Sequence, residues 1–582
     1  MNTENSGLPV EKSSTDATTG RRHDLDALRA VAMLLGIALH GSLAYTTVGF
    51  WGVRDDHTHF GFDILNSTIH GFRMQLFFVI SGFFTAMLWR KRGLVAVLRQ
   101  RALRILLPLV IFIVPITWLS GKVFPIINTS ETEKSRLQPS AETLWTAARD
   151  NDVEALKRHT AGGADLNQRD PQFQIPALNW AALNGSLAVA EWLLNSGAQV
   201  DVTSEDESTP LSHAAFTGRP DLASLLIKRG ANVNRVNRHQ STPLNNAEAD
   251  WGIVEWAAGL LKLKVDKPSV ESGHLAVAAL LKENGGRHQS GLGAANSSTM
   301  NSQPKYDRIT QAYLDFSTAP VFSQFQFLSH LWFLWFLCLL LIPFGVYAWV
   351  AKKVNWRGAS PALFQSPRLL WWLVPLTMIP QWFHGLTFPG FGPDTSTGII
   401  PPPHILLLYF VYFFFGVCYY DVRDTEAKLC RHWWWMLPIA LLAVYPLAMG
   451  MTFNSPPEWM QRWIPSDAVR PLAVLMQVIF AWFMIFGLIG LFRKFFSSEN
   501  KTARYLSDSA YFLYLLHLPL LFVPQYLMKQ ADVPAAVKFI VVCVSTTAVL
   551  LLTYHFCIRY TLVGTMLNGK RRRPAKQNIS AN

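Results

Sequence analysis

Arg29 and His40 are the first residues of this chain to ask for a chemical explanation, because both fall inside an apolar stretch long enough to cross a bilayer. An ionisable side chain there costs several kcal/mol unless it has a partner or water, which makes it a functional candidate by default. Eleven residues advance an α-helix by about 1100°, within about 20° of a whole number of turns, and by about 16 Å. The two side chains therefore share one stripe, the guanidinium toward one end and the imidazole toward the other. An imidazole takes up or releases a proton near neutral pH, and the planar fork of a guanidinium suits phosphate or carboxylate. The next apolar stretch opens with His70 and Arg73, whose spacing puts them one helical turn apart on one face. Arg101 and Arg104 follow it, and His330 and His517 belong to later stretches. His330 is taken as a substrate-binding candidate, against the plainer reading that it and His517 satisfy neighbouring backbone or hydroxyl groups. Ser81, beside Gly82, reads as a close-packing residue rather than a nucleophile.

These side chains need a scaffold that lipid accepts. Half of the 582 residues are hydrophobic and only 16% are charged, with 21 Trp and 38 Phe, which is a bilayer composition. A hydrocarbon core about 30 Å thick needs about 20 apolar residues per helix. Stretches of that kind begin near residues 27, 72, 104, 328, 369, 404, 433, 470, 509 and 534, which makes ten spans. Between the second and third, Arg90, Lys91, Arg92, Arg99, Arg101 and Arg104 form a loop without an acid, which the positive-inside rule assigns to the cytoplasm. Counting outward, the basic loops around Lys352 and Arg493 and the tail from Lys570 fall on the same side, so both termini are expected inside. Residues 1–24 are polar without an apolar core, so the first span is expected to direct insertion.

The polar stretch after the third span has a period. Gly163, Gly197 and Gly230 are the second residues of the similar runs Gly-Gly-Ala-Asp-Leu-Asn, Ser-Gly-Ala-Gln-Val-Asp and Arg-Gly-Ala-Asn-Val-Asn, and Pro176, Pro210 and Pro243 repeat in step with them. Two markers at one period near 33 residues signal a helical solenoid, and each unit resembles the ankyrin repeat. Ala181, Ala182, Ala214 and Ala215 would let its helices stack closely, and a longer unit from Ser241 to Gly285 reads as a cap. Because the third span ends outside on this topology, the repeats are expected to be extracytoplasmic. The fold class expected is all-α, a polytopic bundle of about ten transmembrane helices with an inserted ankyrin-repeat solenoid. The parts are a disordered cytoplasmic N-terminus (1–24), three spans (25–124), the repeats (137–286), a Ser, Asn and Gly-rich linker (287–325), seven spans (326–565) and a basic cytoplasmic tail (566–582).

Several local runs bear a family likeness. Leu25-Asp-Ala-Leu-Arg29-Ala30 followed by His40, the run Phe77-Phe-Val-Ile-Ser-Gly-Phe-Phe84, Arg101-Ala-Leu-Arg104 and Tyr511-Phe-Leu-Tyr-Leu-Leu-His517 resemble membrane acyltransferase family 3. Phe72-Arg73-Met-Gln-Leu76 and His330-Leu-Trp-Phe-Leu-Trp335 are most similar to its glucan-succinylating branch. The resemblance implies transfer of an acyl group, succinyl in that branch, from cytoplasmic acyl-CoA to a hydroxyl of an extracytoplasmic glucan or other glycan in the plasma (inner) membrane. On that expectation His40 is the catalytic base for the attacking hydroxyl and Arg29 its catalytic partner, which with Arg101 and Arg104 holds anionic parts of the donor. His70 and Arg73 would then position the acceptor or the developing oxyanion. The ankyrin insert departs from the family pattern and points to a protein partner.

No bound cofactor and no metal ligand set are expected. The net charge of +13 sits in clusters beside apolar runs, without the aromatic-interleaved basic surface that nucleic acid requires. The five cysteines, 338, 418, 430, 543 and 557, lie mostly inside apolar runs and suggest no disulfide framework. Two other functions fit the same residues: a non-catalytic membrane anchor for the repeats, and a transporter or flippase whose polar stripe lines a path.

Overall fold

The computed structural model describes residues 22–118, 143–288, 308–317, 328–453 and 464–568, apart from short gaps within those ranges. The expected N-terminal segment up to residue 21, the basic tail from residue 569 and much of the expected linker lie outside the described residues. Those that are described form helices, turns and one isolated β-bridge, Arg169 to Pro176, so the all-α expectation holds. The chain divides into two compact units, 1–127 with 309–582, and 128–308.

The membrane unit is built from helices α1 (His23–Ser42), α2 (Phe60–His70), α3 (Arg73–Arg92), α4 (Leu94–Arg101), α5 (Arg308–Ser317), α6 (Trp332–Lys353), α7 (Arg368–Gln381), α8 (Pro403–Val422), α9 (Trp433–Ile439), α10 (Ser466–Phe495), α11 (Lys501–Lys529) and α12 (Ala535–Thr553). Short π-helical turns extend α4 and α9 to residues 118 and 452. Among the described residues nine helical segments are long and apolar enough to cross a membrane. The tenth expected span, near residue 369, is the 14-residue α7 with Pro375 and Pro380 inside it. At 1.5 Å per residue it reaches only about 21 Å.

Helices α3 and α8 pack backbone against backbone, and glycine is the reason. A Cβ on Gly82 would lie 1.9 Å from the carbonyl oxygen of Phe413, and one on Gly416 would lie 2.0 Å from that of Val79. The backbones touch because neither position has a side chain. Three local expectations change. The Arg-rich loop between the second and third spans shrinks to Gly93, at φ +81°, so Arg99 and Arg101 belong to α4. His70 and Arg73 do not share one continuous helix, because Gly71 and Phe72 break it between α2 and α3. The expected linker contains α5, whose Tyr313 packs on Phe383 at 4.2 Å between ring centroids.

In the second unit the helices Ala177–Asn184, Leu187–Asn195, Pro210–Phe216 and Pro220–Lys228 repeat with the period of the sequence markers. Thr209 and Thr242 cap the first helices of their units by accepting from Ser212 N and Asn245 N. Gly163, Gly197 and Gly230 adopt φ of 82°, 96° and 87°, a left-handed turn that only glycine makes without strain. Ala181, Ala182, Ala214 and Ala215 are completely buried, as close stacking demands.

Candidate functional site

α1 brings His40 to its last turn, and α11 packs along it. The His40 ring lies 5.3 Å from that of His517, and the His517 ring lies 5.1 Å from that of His330, centroid to centroid. Three imidazoles from three elements therefore form one cluster. For two of the rings, the bonds they make settle where the protons are. Nδ1 of His517 is 2.8 Å from the carbonyl oxygen of Tyr514, and Nε2 of His330 is 3.1 Å from that of Leu515. A carbonyl only accepts, so each of those nitrogens carries the proton and the opposite one keeps its lone pair. Those opposite nitrogens, Nε2 of His517 and Nδ1 of His330, are buried without a hydrogen-bond partner, as is Nδ1 of His40. The hydroxyl of Tyr514 donates to the carbonyl of His330 and fixes the start of α6.

The guanidinium beside this cluster is Arg73. A Cβ on Gly36 would meet its Nη1 at 2.3 Å, so the bare backbone of α1 one turn before His40 makes room for it. Arg73 is buried, touches Met74 Sδ through Nη2 at 3.4 Å, and leaves Nε without a hydrogen-bond partner. Among the described residues no carboxylate lies within ion-pair distance of it. His70 turns elsewhere, donating from Nε2 to the carbonyl of Pro393 at 2.9 Å.

Arg29 stands at the other end of α1. Its Nη2 donates to Ser507 Oγ at 2.6 Å and lies 3.4 Å from Asp26 Oδ1. Arg101 donates to Thr85 Oγ1 at 2.6 Å, and Arg104 sits half-buried in the π-helical turn Ala102–Leu106. The structure therefore groups His40 with Arg73 and His330, and separates them from Arg29 by about 16 Å of helix.

A segment between α1 and α2 closes over His40. Trp51 stacks on the His40 ring at 5.6 Å and 14°, and its indole N–H donates to Gln525 Oε1 at 3.0 Å. Gln525 in turn donates to the carbonyl of His40 at 3.2 Å. The segment is anchored by Asp55, whose two carboxylate oxygens take Lys538 Nζ at 3.0 and 2.7 Å. Lys538 is completely buried and Asp55 is 3% exposed.

Two features do not stand out in the sequence. His517 reads there as a side chain that satisfies neighbouring groups, although its three-residue spacing from Tyr514 is what lets its Nδ1 reach that carbonyl. A second cluster, His384, Asp394 and His404, gathers donor atoms within 4.8 Å of one another. Spread over the segment after α7 and the first turn of α8, these three residues have no recognisable spacing. Burial works against the charge on Asp394, but the neighbouring His384 and His404 and the Gly385 N–H outweigh it and hold the carboxyl well below its ordinary range.

A family model described as an acyltransferase domain matches residues 22–146 and 294–555, and one described as ankyrin repeats, in three copies, matches residues 144–237. Relatives named glucans biosynthesis protein C, from Salmonella paratyphi B and Salmonella heidelberg, are 42% identical over 89 residues, 15% of this chain. The chain spans 23% of the length of those relatives. With more than half of its residues inside the acyltransferase match and nine helices fit to cross a bilayer, this multi-pass membrane chain belongs to membrane acyltransferase family 3 and carries ankyrin repeats inserted between its third and fourth spans.

Proposed function

We propose that this chain is an O-acyltransferase that moves an acyl group from acyl-CoA to a hydroxyl of an extracytoplasmic glucan or related glycan, with no bound cofactor. The observation that carries the reading is the pairing of an imidazole cluster holding unpartnered lone pairs with a buried guanidinium that meets no carboxylate among the described residues. His40 takes the proton of the attacking hydroxyl. Arg73 meets the oxyanion, or the carboxylate of an acyl group such as succinyl. Arg29, Arg101 and Arg104, at the opposite end of α1, hold the phosphates of the donor, and His330 and His70 line the way to the acceptor. The chain lies in the plasma (inner) membrane with both termini cytoplasmic, as its basic clusters favour. The repeats are extracytoplasmic and bind a protein partner.

The test is release of CoA by purified protein in vesicles. Release should depend on added glucan and vanish in His40→Ala protein inserted at normal levels. CoA release by that variant at the normal rate would refute the assignment. Mass spectrometry of surface glycans from cells with and without the chain names the acyl group and its carrier.

A further inference from the structure

We infer that His384, Asp394 and His404 form a divalent-cation site of zinc type, with the role of pinning the segment between α7 and α8. The three residues stand at the spacing of ligands that share an ion rather than of partners that bond each other. Asp394 Oδ2 lies 3.6 Å from His384 Nδ1 and 3.9 Å from His404 Nε2. Neither distance is a hydrogen bond. Tetrahedral zinc with bonds of about 2.0–2.1 Å sets its donors about 3.3 Å apart, so Asp394 needs to approach each imidazole by only a few tenths of an ångström, while the set as a whole, with donor atoms within 4.8 Å of one another, must draw in around the ion. The two rings are 4.6 Å apart at 70° and buried, 5% and 8% exposed.

The surroundings favour a ligand as well. His404 Nε2 is buried and has no hydrogen-bond partner, while its Nδ1 lies 2.8 Å from the hydroxyl of Tyr313 on α5. That hydroxyl also accepts from the His404 backbone N–H at 2.9 Å. A ligand imidazole oriented through its other nitrogen is the usual outer shell of a metal site. Gly385 N donates to Asp394 Oδ2 at 3.0 Å and steadies the carboxylate. His384 Nδ1 now accepts from Asp394 N at 2.8 Å, and loading exchanges that bond for a dative one. Two neutral imidazoles and one carboxylate leave Zn²⁺ with one net positive charge. The side chain of Asp394, 41% exposed, leaves a way in for water as the fourth ligand.

Pinning matters because the same segment meets α2 and α3. Pro393 accepts from His70, and a Cβ on Gly392 would lie 3.1 Å from the Cα of Gly71. The ion would fix this cover three residues from Arg73. The inference uses none of the residues assigned to proton transfer, and it stands or falls apart from acyl transfer.

The experiment takes the full chain in detergent, without a polyhistidine tag, stripped with EDTA and dialysed against zinc chloride. Elemental mass spectrometry should find stoichiometric zinc in the wild type and in the control His432→Gln, an exposed position. Asp394→Asn and His404→Gln should lose it. Cobalt(II) in place of zinc should give the visible absorption of a tetrahedral ion, and EDTA should lower the thermal midpoint of the wild type by several degrees. Wild-type protein that binds no stoichiometric zinc and shows no cobalt band would overturn the inference. Folded Asp394→Asn and His404→Gln proteins that keep full zinc would overturn it too.

Discussion

His40 and His517 face each other 5.3 Å apart, centroid to centroid, and only His517 has its tautomer fixed by a carbonyl. With Nδ1–H held by Tyr514, the lone pair on the buried Nε2 has no hydrogen-bond partner and can receive a proton that His40 has taken. His517→Ala should therefore lower acyl transfer by about 10²- to 10⁴-fold, as His40→Ala does. The double variant should be little worse than either single one. Acceptor-dependent CoA release is the measurement, and a His517→Ala rate near wild type would remove His517 from the chemistry.

The guanidinium of Arg73 occupies space that Gly36 leaves vacant. Gly36→Ala places a methyl 2.3 Å from Nη1, so the guanidinium must move while α1 gains helix propensity. Transfer should fall by at least about tenfold with insertion and thermal midpoint little changed. Arg73→Lys should fall further, because an ammonium lacks the planar fork. Normal kinetics in Gly36→Ala would show that the position of Arg73 is immaterial.

The glycine contact between α3 and α8 should be a point of structural failure. Gly82→Ala and Gly416→Ala each push a methyl into a backbone carbonyl at 1.9 and 2.0 Å, and a backbone cannot step aside as a flexible side chain can. Thermal unfolding in detergent should drop by several degrees for both. Gly345→Ala, where nothing lies within 4 Å, serves as the control and should leave the midpoint unchanged.

The repeat unit should weaken on acidification. Burial holds His213 below the ordinary imidazole range, against the opposing charge of Asp206, and the amide of Asn179 lies 3.2 Å from its Nδ1. A group whose folded pKa is depressed contributes stability that is present above its unfolded value, about 6.5, and lost as pH falls through the folded one. Hydrogen exchange of residues 177–216 in the intact chain should show opening free energy decreasing between about pH 7 and pH 5. In His213→Gln that decrease should shrink; an unchanged slope would assign the effect to another group.

How much of this was legible in the sequence depended on whether the signal was local. Gly163, Gly197 and Gly230 announced the repeats because each turn needs the same left-handed residue at the same interval. Gly82 announced close packing but not its counterpart, since Gly416 sits in an aromatic run with nothing to mark it. His40 was legible as an ionisable group in an apolar stretch, and its stripe with Arg29 is real. Which guanidinium stands beside it was not legible, because Arg73 arrives from another helix through a gap made by Gly36. The His384, Asp394 and His404 cluster was invisible for the same reason, its members meeting only when α7, α8 and the segment between them fold together. α7 was read as a full span from its hydropathy, and its two prolines were the unread warning.

The enclosed contact of Asp55 with Lys538 gives the cover over His40 a strict grammar. Removing one partner leaves a lone charge in an apolar interior, at a cost of about 3–5 kcal/mol, whereas replacing both with well-fitted neutral residues can be almost neutral. Positions 55 and 538 are thus free to change only as a couple, and a lone change at either would loosen Trp51 from the imidazole it shields. The last spanning segment of the membrane unit, which supplies none of the chemistry, in this way governs how tightly the first one is sealed.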